Sequence, residues 1–146
     1  MGAPRPHQRG FTLFELLLMI VLVGVATSIL AVGVGRGLHS AQERTALSNM
    51  VSALRSARVQ AIGSGRPVRA GFDLQRRQVL MAGHAPADWP EDFTVRLNTA
   101  EGLGAAFEFY PDGAASGGNI QIARGERRWR IDVGWLTGRV TLKALP

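Results

Sequence analysis

The chain contains no cysteine. That excludes disulfides, thiolate zinc sites, iron–sulfur clusters and a cysteine nucleophile together. Histidine is scarce, and His7, His39 and His84 lie too far apart for metal-ligand spacing. There is no G-x-S-x-G elbow and no phosphate-binding loop. Gly33-Val-Gly35-Arg-Gly37 lacks dinucleotide spacing and follows an apolar run, where a dinucleotide site would follow a strand. No catalytic, cofactor-binding or metal-ligating residue is therefore assigned, and an enzyme is not expected. At 146 residues the chain is too short for a barrel enzyme or a two-domain nucleotide enzyme. Only one segment is long enough to cross a bilayer, which excludes a multi-span transporter. Proline is absent between His7 and Arg66, so nothing in that stretch forces a helix to break.

What is present divides into two unlike parts. Hydrophobic residues make up 46% of the chain, but Phe11–Gly35 is far richer and contains a single ionisable side chain, Glu15. As a helix its 25 residues would be roughly 37 Å long, against a bilayer core of about 30 Å. The run is too long for the apolar core of a cleaved secretory signal, and no Ala-x-Ala site follows it. A carboxylate in such a helix costs on the order of 2.5–3.5 kcal/mol at the membrane centre, and a plain anchor has no use for it. Cleavage between Gly10 and Phe11 would create an α-amine one helical turn from Glu15, or beside the Glu15 of a neighbouring subunit. Two charges that are each costly in lipid would then pair.

Gly10-Phe11-Thr12-Leu13-Phe14-Glu15-Leu16-Leu17 resembles the leader junction of type IV pilins and type II secretion pseudopilins. The resemblance implies that residues 1–10 are a short basic leader, removed after Gly10 by a prepilin peptidase. Phe11 would then be N-methylated, and Glu15 would register subunits during filament assembly. Many pilins carry a proline midway along this helix, and this chain has none. Gly24, Gly33, Gly35 and Gly37 are the residues that would loosen it locally.

Past Gly37 the pattern changes. Leu47, Met50, Val51, Leu54, Ala57, Ala61 and Ile62 recur at helical spacing, with polar side chains on most of the remaining circumference. The periodicity predicts an amphipathic continuation over 36–66 that packs one face on its own domain. It should stop near Gly63-Ser64-Gly65, before Pro67. Arg36 falls where lipid headgroups would lie.

From Pro67 the signals are β. Short strands are predicted at Val68–Phe72, Val79–Ala82, Phe93–Leu97, Phe107–Tyr110, Ile120–Ala123, Trp129–Val133 and Arg139–Leu142, separated by turn residues. His84–Asp92 reads as a loop, and its Asp88, Glu91 and Asp92 as solvated acids, since a calcium site needs several oxygen ligands gathered in one loop. Trp129 and Trp135 are placed to share a strand face. A single antiparallel sheet with one greasy face against the helix would satisfy both halves.

Phe109–Ile120 followed by Trp129–Val140 is similar to the C-terminal signature of the GspH class of minor pseudopilins. The middle, 70–103, carries no motif. The resemblance implies an α+β, pilin-like fold, with a long N-terminal helix, transmembrane then amphipathic, on a C-terminal antiparallel β domain at 67–146. It implies a single-pass protein of the bacterial inner membrane, with its N-terminus cytoplasmic before processing and its C-terminal domain periplasmic. The function implied is that of a minor pseudopilin, helping to export folded proteins across the outer membrane. Its implied partners are the prepilin peptidase, other major and minor pseudopilins, the inner-membrane assembly platform, and the secretin or a secreted substrate.

The alternative is a FimT-like minor pilin of a type IV pilus, DNA-binding in natural transformation. Sixteen of the 17 basic residues are arginine. Arg124, Arg127, Arg128, Arg130 and Arg139 form a candidate DNA or partner surface. Against nucleic acid, Glu126 and Asp132 interleave with them, and a solvated basic face is the simpler expectation. The net charge of +6 also falls to +4 (15 − 11) once the leader's Arg5 and Arg9 are removed.

Overall fold

The computed structural model describes residues 11–146, with the side chains of 30–39 outside the description. The leader, the Gly10 side of the cleavage junction, Arg36, His39 and the glycines at 33, 35 and 37 therefore lie outside the described residues or side chains. The chain forms two compact units, one ending at Ser40 and one spanning Ala41–Pro146.

In the first unit, α1 (Leu13–Ser64) begins immediately after Thr12. Thr12 Oγ1 accepts a bond from the Glu15 amide at 3.2 Å, and the Leu16 amide donates to the Thr12 carbonyl at 3.2 Å. Thr12 is thus the helix N-cap and Glu15 occupies its third position. Every side chain from Phe11 to Ile29 is exposed. Thr27 Oγ1 donates to the Val23 carbonyl at 2.8 Å, and Ser28 Oγ to that of Gly24 at 2.7 Å. These hydroxyls are satisfied by their own helix. Among the described residues no helix is long and apolar enough to cross a membrane. The window expected to span, 11–35, runs on into side chains outside the description.

The second unit holds the rest of α1 and eight strands: β1 (Val68–Asp73), β2 (Gln78–Leu80), β3 (Ala87–Asp88), β4 (Thr94–Thr99), β5 (Ala106–Phe109), β6 (Gly118–Arg124), β7 (Arg127–Val133) and β8 (Val140–Leu145). They form two four-stranded antiparallel sheets, ordered β3-β2-β1-β5 and β4-β6-β7-β8. The expected single sheet is thus corrected to two. The predicted loop at 84–92 contains the short β3, which pairs Ala87 with Val79.

The buried face of α1 carries Ala46, Leu47, Met50, Val51, Ala53, Leu54, Ala57 and Ala61. Ile62, expected in this stripe, is 48% exposed, because at 3.6 residues per turn it stands about 80° round the helix from Leu54, at the edge of the buried face. Gly65 closes it at φ +66°, with its amide bonded to the Ala61 carbonyl at 3.1 Å. Inward residues alternate along the strands: Ala70 and Phe72, Phe107 and Phe109, Ile120 and Ile122, Ile131 and Val133. Phe72 meets Phe107 edge-on at 6.1 Å and Trp89 at 6.3 Å.

Gly117-Gly118 carries the chain from beside β5 into β6. Both residues have positive φ, and a Cβ on Gly118 would collide with the Asn98 carbonyl. Only glycine fits this crossing. Trp135 lies beyond the end of β7 and is 69% exposed. It therefore shares no strand face with the half-buried Trp129, which stacks on Phe93 at 6.2 Å.

Candidate functional site

At the N-terminus, Phe11 and Thr12 precede the first helical residue. The Gly10–Phe11 bond therefore lies two residues upstream of the helix start. Glu15 sits in the first turn, where the exposed amides favour a negative charge. Its carboxylate is the only ionisable side chain in 11–29 and has no side-chain partner among the described residues. The T-x-x-E capping pattern at 12–15 is a sequence signal that the reading of the junction missed. It gives Glu15 a local structural role beside its expected role in assembly.

The five C-terminal arginines do not form one surface. Arg124 and Arg127 reach a buried carboxylate on α1. Arg127 Nη1 donates to both oxygens of Glu43 at 3.1 and 3.3 Å, and Arg124 Nη1 lies 3.7 Å from Glu43. Arg124 Nε also bonds Asp92 at 2.6 Å, and its guanidinium lies 5.5 Å from the centre of the Phe93 ring. With only 12% of its side chain exposed, Arg124 is a bolt between α1, the β3–β4 loop and β6.

Arg130 leaves the opposite face of β7 and bonds Asp132 at 2.6 Å, with Lys143 at 3.3 Å from the same carboxylate. Partial burial pushes the Asp132 carboxyl up. The hydrogen bonds and charges of Arg130 and Lys143 outweigh that, so it sits below its ordinary value. Arg128 is exposed on the outer sheet face, and Arg139 is exposed just before β8.

The acids of the 84–92 loop are exposed, as the sequence suggested, and each also has a partner within the chain. Asp88 accepts from Gln78 at 2.8 Å, Glu91 pairs with Arg77 at 2.6 Å, and Asp92 holds Arg124. Glu43 is the residue whose importance the sequence concealed, because its partner Arg127 lies 84 positions away.

Against known families, residues 46–137 match the model described as type II transport protein GspH. Residues 5–31 match the prokaryotic N-terminal methylation motif. The chain belongs to the GspH family. It is 36% identical over 141 residues to type II secretion system protein H of Xanthomonas campestris pv. campestris, spanning 93% of this chain and 83% of that protein. It is 32% identical over 84 residues to the Escherichia coli K12 protein of the same name, spanning 57% of this chain and 50% of that one. The crystal structure of the Pseudomonas aeruginosa type IV minor pilin FimU superposes with a TM-score of 0.52 at 17% identity, covering 70% of this chain and 91% of that one. That likeness shows the pilin-like α+β fold.

As a GspH chain it is a minor pseudopilin of type II secretion, in a structural family whose members associate with the membrane through an N-terminal anchor. The methylation motif implies prepilin processing and pseudopilin partners.

Proposed function

We propose that this GspH chain enters the inner membrane as a single-pass precursor with a cytoplasmic leader at 1–10. It is cut after Gly10 by the prepilin peptidase, methylated on Phe11 and drawn into a pseudopilus. The proposed boundaries are a filament-core helix at 11–35, its amphipathic continuation at 36–66 and a periplasmic β domain from 67. Glu15 pairs with a Phe11 amine, its own or a neighbour's, and sets the subunit's axial register. The periplasmic domain meets other pseudopilins, the secretin or cargo, while a separate cytoplasmic motor supplies the work. The chain itself catalyses no reaction.

The observation that carries this reading is the surface of residues 11–29. It is apolar and exposed, its Thr27 and Ser28 hydroxyls are turned back onto the helix, and it holds one carboxylate without a side-chain partner among the described residues. Such a surface needs lipid or neighbouring apolar helices. Replacing Gly10 with leucine should leave the precursor uncut, and maturation of that variant to the shorter form would refute the cleavage assignment. Glu15→Leu should insert and be cut but fail to enter the pseudopilus. Normal incorporation of Glu15→Leu would refute the pairing role.

A further inference from the structure

The arginines of the second unit divide by their partners. Arg69, Arg77, Arg124, Arg127 and Arg130 are all in ion pairs. Arg44, Arg55, Arg58, Arg66, Arg76, Arg96, Arg128 and Arg139 have no acidic partner among the described residues, and Arg44, Arg55, Arg58 and Arg139 of these border one groove between α1 and the β7–β8 segment. The groove consists of two hollows that meet at Arg55. One, of about 340 Å³, runs past Arg44 and over Leu47, Val51 and Leu142. The other, of about 450 Å³, is bordered by Arg58, Val59, Gly138 and Arg139.

The floor of the first hollow is mainly apolar, with Leu142 42% exposed, and the second is more polar but includes Val59, 68% exposed. No Asp or Glu lines either hollow. Arg55 donates to the Val140 carbonyl at 3.3 Å and Arg58 to that of Gly113 at 3.1 Å. Those bonds hold the guanidiniums in place without neutralising them.

We infer that this groove seats an acidic amphipathic helix from a different pilin-like subunit, an inference that rests on the pseudopilin reading. Its floor follows α1 from Arg44 to Val59, about 22 Å or four helical turns. Ser48 and Ser52 beside Leu47 and Val51 are small enough for a second helix axis to approach to about 8–10 Å. The fitting partner carries an apolar stripe for the floor and carboxylates at its borders for the arginines.

A second copy of this chain does not fit. From residue 41 to its end, α1 has one carboxylate, Glu43, and it is buried against Arg127. A second copy's helix would therefore bring arginines to arginines. The exposed Glu101 and Glu126 stand singly on separate turns, and the exposed Asp88, Glu91, Asp92 and Asp112 lie on loops and short β segments, not on a helix, and are bonded within the chain.

The absence of native cysteine makes the test direct. Full-length Ser52→Cys, labelled with a photoreactive maleimide in membranes containing the assembled secretion system, is irradiated and its adducts are mapped by mass spectrometry. The expected adduct is to a helix of another pilin-like subunit, at a site flanked by Asp or Glu. It should fall at least tenfold when Arg44→Glu and Arg139→Glu are added. Neither side chain makes a bond among the described residues, so the triple variant should keep its melting temperature and still enter the pseudopilus. Adducts to a second copy, to cargo or to nothing, or a yield indifferent to charge reversal, would overturn the inference while pseudopilus incorporation upholds the broader reading. Absence of even the wild-type chain from the pseudopilus would instead sink that broader reading.

Discussion

Glu43→Ala should weaken the second unit more than removal of either of its arginine partners suggests singly. The Glu43 side chain is 10% exposed and accepts two bonds from Arg127, with Arg124 close by. The Arg127 side chain is 66% exposed, so solvent screens that limb and its loss is worth under about 1 kcal/mol. Arg124 is 12% exposed, and losing Glu43 strips a buried guanidinium of part of its compensation. Breaking a fully buried pair costs about 3–5 kcal/mol. Asp92 remains on Arg124 at 2.6 Å, so roughly half of that, about 2 kcal/mol, applies here. The sum is about 2–3 kcal/mol, or roughly 8–12 °C in melting temperature for a domain of about 100 residues. The assay is thermal unfolding of the full-length chain in detergent, followed by near-ultraviolet circular dichroism. Trp129, stacked on Phe93 beside Arg124, is the reporter. Arg127→Ala should cost less than half as much, and Glu101→Ala, at an exposed turn, about nothing. If Glu43→Ala and Arg127→Ala cost the same, the buried bolt does not exist as described.

Two further outcomes test other parts of the fold. Gly118→Ala puts a Cβ into the Asn98 carbonyl at a positive φ and should cost about 3 kcal/mol in denaturant titration, where a loss under about 1 kcal/mol would show that the β5–β6 crossing relaxes freely. Asp132 has a lowered folded-state pKa, so its contribution is complete above its unfolded value and fades as the pH falls through the folded one. Stability should therefore drop below about pH 4, Asp132→Asn should flatten that drop, and an unchanged acid limb would contradict the Arg130–Asp132–Lys143 cluster.

Much of this architecture was legible in local pattern. The 3.6-residue rhythm of Leu47, Met50, Val51 and Leu54 marked the buried face of α1, and Gly65 marked its end. Alternation placed most strands within two residues of where they lie. Alternation tells which way a side chain points and not which strand it pairs with. The sheet therefore read as one, whereas β5 leaves β4 to pair with β1. Trp135 looked like a continuation of β7 because its parity matched Trp129. Parity carries no sign of where a strand stops, and Gly134 ends the ladder there.

The charged groups were the least legible. Clustered in sequence, Arg124 to Arg139 suggested one basic surface. Neighbours on a strand face opposite ways, and the acids that claim Arg124 and Arg127 come from α1 and the β3–β4 loop. The N-terminal junction is local: the proposed cleavage point at Gly10–Phe11, the cap at Thr12 and the carboxylate at Glu15 fall within six residues, and of these the cap went unread.

The most direct test of the pseudopilin reading is the intact mass and N-terminal sequence of the chain recovered from membranes that carry an active prepilin peptidase. The expected product begins at Phe11, lacks residues 1–10 and bears one added methyl group on its α-amine. A mature chain that retains Met1–Gly10, or begins at any other residue, would contradict it.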